Sequence, residues 1–453
     1  MIEHIREYIG LYMLILFWVG VTVLPGPWIY AALPLSVFLM RNKEAWPDMV
    51  FGFLIILILS DMNPGLVPMR KVKTAKYGYI IALSIVFLLD TARFIPLSTI
   101  FKIFLPFFVY SFFPLFFSGS PITGFEKTVS YMLLYMVIPN YVLMNFRRRG
   151  WDFFKDLILF VVVVLWFSRV MIYFTPNWWT FIDGRFRGLF GNPNGLGIFC
   201  FLMFVMAYVV NYLRGGLFTN MQKVIVFGTI LYFLVLCGSR TSLTATVMFL
   251  IFSRVFSVSP FIGFIAFLAF LAIIELVSNN LAQIVTALGL EKFMRVETLA
   301  DGSGRYFAWQ FAWERITNDG FFLFGGGFGN DEYIMRQHYP YLRSQGHHGG
   351  VHNSYLTMWF NTGVLGILIY FRSFILMFVK ANKQAPIAFA IMFSVLFSVL
   401  YESWLTGSLN PFTITLLIIM TILSEEEIIG SAADEVEEEQ EEVDLPEAAV
   451  LPA

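Results

Sequence analysis

RFRGLFGNPNGLGIFCFLMFVMAYVVNYLR, residues 185–214, joins two cations and a Gly-Asn-Pro-Asn-Gly turn to a long apolar run. A membrane-spanning helix needs about 20 consecutive apolar residues, and residues 195–213 meet that need. Pro193 suits the first turn of this helix, where its missing N–H costs nothing, and Asn192 suits the cap. Cations this close to hydrocarbon are costly and usually face a cavity or a partner. The stretch therefore reads at once as a spanning helix and as the edge of a site.

The rest of the chain repeats the pattern. It is 58% hydrophobic, 18% aromatic and only 13% charged over 453 residues. Soluble domains are about 25% charged, so no separable soluble enzyme domain is expected. Apolar runs recur from residue 8 to residue 424, which predicts an all-α, polytopic membrane protein of about 12–14 helices. The first run follows MIEHIREY without a small-residue cleavage pattern and is expected to span rather than to be removed. Cys200 and Cys237 both lie in apolar runs, which argues against a disulfide framework or a cysteine metal site.

Charge divides the chain. Residues 425–453 hold twelve acids and no Lys or Arg, and are expected to form a disordered, solvated cytoplasmic tail. The expected organisation is a helical bundle in 1–279, a large outer loop in 280–352, further spanning helices in 353–424, and that tail. Arg147, Arg148 and Arg149, with Arg214, Lys223, Arg254, Lys380 and Lys383, mark one side as cytoplasmic. Counting helices from there puts residues 176–194, Ser239-Arg240, 280–352 and 403–410 together on the other side. Arg70, Lys71, Lys73 and Lys76 also fall on that other side, against the charge rule. Either the first helices are miscounted or those cations have work there.

Polar residues gather on the outer side. Arg185 and Arg187 precede the Asn192-Pro193-Asn194 helix start, whose N–H groups make a candidate anion site. Arg240 sits in CGSRTSLTAT (237–246), beside Ser239, Thr241 and Ser242 as capping residues. In the large loop, DGSGRYFAWQFAWERI (301–316) predicts a short amphipathic helix capped by Ser303, with Arg305, Trp309, Ala312 and Ile316 on one face. Tyr306 and Trp313 suit a bilayer interface. GGGFGNDE (325–332) reads first as backbone punctuation. His347, His348 and His352 lack both an HExxH pattern and a nearby cysteine, so no metal is expected. A single histidine such as His352, before an apolar helix, can serve as a general base near neutral pH without one.

In order and spacing these elements resemble the O-antigen ligase and Wzy-type polymerase superfamily over about residues 180–370. The shared features are an Arg-rich approach to a G-x-F-x-N-P-N helix start, an S-R-T-S-L turn, an S-G-R…W segment, a G-G-G-F-G turn and H-N-S-Y-L. The ligase motif is met in full, as His352-Asn353, nine residues to Thr362, Gly363, two residues, then Gly366. The resemblance implies transfer of a glycan from undecaprenyl pyrophosphate to an acceptor hydroxyl at the periplasmic face of the bacterial inner membrane. It implies no metal or other cofactor, and no nucleic-acid partner. His352 would be the base, and Arg305 and Arg185 the pyrophosphate-binding cations. Arg187 and Arg240 could serve the same phosphates.

The acceptor would be a lipid A core sugar for a ligase, the favoured reading, or another lipid-linked glycan for a polymerase. A transporter is the alternative from another class. It would use ionisable residues near mid-bilayer, for which Arg169, Glu275 and Glu402 are the candidates.

Overall fold

A computed structural model describes residues 1–62, 65–94, 96–347, 349–407 and 409–431, apart from 288–304. Ser303, His348 and the tail beyond residue 431 lie outside the described residues. Each long apolar run of the sequence forms a helix. The amino-terminal group is Ile9–Val23, Trp28–Asn42, Trp46–Ser60, Arg70–Leu89, Thr99–Ser111, Pro121–Arg149 and Asp152–Val170. Pro193–Leu213, Asn220–Leu236, Arg240–Val258 and Pro260–Ala287 follow, then Ser354–Asn382, Ala388–Leu400 and Pro411–Ser424. Among the described residues, seven helices are long and apolar enough to cross a membrane, and shorter apolar helices pack with them. The chain is an all-α, multi-pass membrane protein.

Ion pairs tie the loops at one end of the bundle. Arg147 reaches Glu427 at 2.8 Å, Arg149 reaches Glu7 at 2.7 Å and Asp156 at 2.9 Å, and Lys380 reaches Glu426 at 3.3 Å. These contacts correct the expected start of the acidic tail. Glu425 accepts the Thr99 N–H at 2.6 Å and Ile428 is fully buried, so residues 425–431 belong to the packed bundle. The opposite end carries the 403–410 turn, and Lys76 donates to the Leu409 carbonyl there at 2.7 Å. The basic run 70–76 therefore sits at that end of the bundle.

The kink in Ser354–Asn382 positions the outer loop. Gly363 has φ 65° and ψ −178°, a conformation essentially restricted to glycine. The bend leaves backbone groups of residues 360–364 to the loop. Gly326 N–H donates to Phe360 O (3.0 Å), Gly327 N–H to Asn361 O (2.7 Å), and Val364 N–H to Phe322 O (2.9 Å). A Cβ at Gly363 would lie 2.3 Å from the Leu323 carbonyl oxygen, and one at Gly325 would lie 2.5 Å from the backbone of Thr362. The glycine-rich turn is thus a close backbone contact, as its composition suggested. Gly363→Ala combines a backbone cost of about 1–3 kcal/mol with this overlap, and is expected to lower the thermal midpoint in detergent by several degrees. A scan of the purified variant checks it.

Candidate functional site

Two short turns bring Arg185 to the site. Residues 181–186 form a two-residue hairpin, Phe181–Ile182 against Arg185–Phe186. Its turn, Asp183-Gly184, has φ 49° and 74°, the double positive φ that favours Asp-Gly in tight hairpins. Arg185 then donates from Nε to the Cys237 carbonyl at 2.9 Å and from a terminal nitrogen to Asn194 Oδ1 at 2.7 Å. Asn192 caps Pro193–Leu213 by accepting the Gly195 N–H at 2.8 Å. The Gly191 N–H faces Asp61 Oδ2 at 3.4 Å. That helix start is partly satisfied by the chain's own groups, which narrows the anion site expected there.

Glu402 gathers the cluster. Its Oε1 accepts from Asn194 Nδ2 at 2.8 Å and from the Arg305 guanidinium at 2.7 Å. Its Oε2 lies 3.4 Å from His352 Nδ1. Ser354 Oγ donates to the Glu402 carbonyl at 2.7 Å, and the Asn353 N–H donates to Ser403 Oγ at 2.9 Å. These bonds clamp the 402–403 backbone to the start of Ser354–Asn382, where Asn353 caps the helix by accepting the Leu356 N–H. Arg185, Asn194, Arg305, His352 and Glu402, from four separate parts of the chain, meet here.

His352 itself is strained. It holds φ 51°, uncommon for a residue with a Cβ, at a cost of order 1–3 kcal/mol. The conformation sets Nδ1 toward Glu402, which favours the proton on that nitrogen and leaves the Nε2 lone pair to accept one. Nε2 lies over Gly349, where an added Cβ would stand 2.3 Å away. The His352 side chain is 37% exposed, against 12% for Glu402, so the imidazole fronts the cluster and the carboxylate backs it.

The remaining candidates are placed differently. Arg187 is 4% exposed, and its guanidinium donates to the carbonyls of Trp178, Trp179 and Gly191. Those donors hold the 178–191 loop, while Arg185 meets Asn194. Arg240 is exposed at the first residue of its helix, in the turn whose Cys237 carbonyl receives Arg185. His347 is buried, with Nε2 3.0 Å from both the Gly349 and Gly350 carbonyls, so it donates there and braces the loop before His352. Arg305 opens the helix Arg305–Asn318, whose Ala308, Phe311, Ala312 and Ile316 are buried in a small apolar core of their own. That core seats the outer loop and so fixes Arg305.

Glu402 is the cluster residue that reading the sequence missed, naming it only as a candidate for the transporter alternative. It lies just after Ala388–Leu400, before Pro411–Ser424, and that polar interruption between two apolar helices was the available signal. Arg169 likewise sits in the last turn of Asp152–Val170, with its guanidinium 5.8 Å from the Phe186 ring centroid.

The fold and the cluster define a class: a multi-pass helical membrane protein with an imidazole, a carboxylate and two arginines assembled at one end of its bundle. Residues 225–371 match the family model for O-antigen ligase. The match contains Arg240, Arg305, His352 and Gly363; Arg185, Asn194 and Glu402 lie outside it and join it only in space. A search of curated proteins found no match.

Proposed function

We propose that this protein is a membrane glycosyltransferase that moves a glycan from undecaprenyl pyrophosphate to an acceptor hydroxyl at the periplasmic face of the bacterial inner membrane. The observation that carries the reading is the single carboxylate, Glu402, holding Arg305, Asn194 and His352 together at the bundle end. In the reaction, the acceptor oxygen attacks the anomeric carbon and its proton passes to Nε2 of His352. The bond from that carbon to the diphosphate oxygen breaks with its electron pair and releases lipid diphosphate. Arg305 and Arg185 stabilise the charge that gathers on the leaving group, as preorganised cations do in a water-poor site. Glu402 keeps the imidazole oriented and balances the imidazolium that forms.

Two arginine substitutions test the charge argument. Arg305→Ala and Arg185→Ala should each lower turnover by about 10²–10³-fold, the usual scale for losing one preorganised donor. Arg305→Lys should recover only part of it, because lysine lacks the planar fork. Single-turnover transfer from a radiolabelled donor measures both, and near-normal turnover in the two alanine variants rules out the phosphate roles.

The favoured acceptor is the lipid A core, which makes the protein an O-antigen ligase; the complete His-Asn…Gly…Gly motif supports it. A lipid-linked glycan acceptor would make it a Wzy-type polymerase. The purified protein, given the lipid-linked donor with either acceptor, decides. A lipid A conjugate means ligase, and longer lipid-linked chains mean polymerase. Product from neither would reject transfer and favour the transporter reading.

A further inference from the structure

The basic run that contradicts the charge rule lines a cavity that the transfer cluster does not use. Arg70, Lys73 and Lys76 surround a space of about 490 Å³ with Asp61, Asn192 and Asn410. Lys76 is pinned by the Leu409 carbonyl at 2.7 Å and lies 3.4 Å from Ser60 Oγ, while Arg70 and Lys73 are exposed at the mouth. Asp61 is the one carboxylate among the lining residues. Three cations against one carboxylate leave the cavity positive. Its lining includes none of Arg185, Asn194, Arg305, His352 and Glu402, although Gly191 and Asn192, at the start of the helix that carries Asn194, do line it.

A second feature adjoins it. Met62 and Met69 line both this cavity and an apolar groove of about 460 Å³. Ile55 and Leu59 form the groove floor, Leu16 and Val19 one wall, and Val163 and Phe167 the other. Leu16 and Phe167 are about half exposed on the face that a spanning helix turns to lipid, so the groove opens sideways into the membrane. A positive cavity at the bundle end, joined to an apolar groove along the bundle side, has the polarity of a molecule with an anionic head and a long apolar chain.

We propose that this composite site binds a lipid phosphate, with its chain in the groove and its phosphate on Arg70, Lys73 and Lys76. The site is distinct from the transfer cluster and stands whether or not the transfer reading does. Arg70 and Lys73 supply the accessible charge, Lys76 supplies a fixed charge at the cavity base, and Asp61 limits affinity. Charge brings the head to the cavity, and the groove selects a lipid over free phosphate.

Native mass spectrometry of the full chain in detergent tests it, with a C55 polyprenyl monophosphate, the same chain as free polyprenol, and inorganic phosphate as probes. The expected result is retention of the lipid phosphate and at least about ten-fold weaker retention of either control, since each basic residue near an anionic lipid contributes appreciably. Arg70→Ala with Lys73→Ala, both on exposed side chains, should weaken the lipid phosphate by about ten-fold or more. Asp61→Asn should tighten it, and Leu16→Trp should weaken it by filling the groove wall without altering phosphate binding. His352→Ala should bind it as the parent protein does. Equal binding of inorganic phosphate would overturn the lipid assignment, and undiminished binding by the Arg70/Lys73 variant would overturn the site. Loss of binding in His352→Ala would place the lipid in the transfer cluster and overturn the second site.

Discussion

Glu402→Gln is expected to reduce glycan transfer by about 10²–10³-fold while the protein remains folded, a loss on the scale of general-base contributions. The substitution preserves shape and removes charge. The amide oxygen can still accept from Arg305 and Asn194, but the NH2 then faces His352 Nδ1, where it cannot hold a proton, and the charge that stabilises the imidazolium and pairs with Arg305 is gone. The backbone anchors survive, because Ser354 bonds the Glu402 carbonyl and Asn353 bonds Ser403. The thermal midpoint should therefore shift little, and the donor KM should change far less than kcat. A merely structural role predicts the reverse, with a large midpoint shift and activity recovered at low temperature. Glu402→Asp keeps the charge one methylene short and should restore part of kcat.

His352→Ala carries the other large effect. It removes the only group in the cluster able to accept a proton and still be paired with a carboxylate behind it, and transfer should fall by about 10²–10⁴-fold. The positive φ of 51° makes the direction on stability informative. Alanine tolerates that conformation no better than histidine, whereas His352→Gly relieves the strain. The glycine variant should be as inactive as alanine yet at least as thermostable as the parent. That pairing of lost activity with retained or raised stability marks strain held for function rather than for folding. Transfer assays and thermal scans on both variants check the two halves separately.

The sequence made the helices and the broad site legible for plain physical reasons. Runs of apolar residues near bilayer length specify spanning helices, and Asn192-Pro193 and Asn353 mark helix starts by capping chemistry. Gly363 and the 325–327 glycines also carry their meaning locally, through conformations and close approaches that need no Cβ. Glu402 was not legible, because its partners are 50, 97 and 208 residues away and only packing brings them together. Arg187 differs from Arg185 by two positions in similar sequence, yet one donates to backbone carbonyls and the other to Asn194. Glu425–Glu427 look like the acidic tail in composition. Their partners Thr99, Lys380 and Arg147 make them part of the bundle.

The central claim is that Glu402 and His352 work as one unit, and a double-mutant cycle on single-turnover transfer tests it most directly. His352→Ala, Glu402→Gln and the double variant are compared with the parent protein under one donor and acceptor. If the carboxylate acts largely through the imidazole, the double variant loses at least about ten-fold less than the product of the two single losses, as residues acting together do. Losses that multiply fully would show that Glu402 and His352 act independently, and would contradict the account.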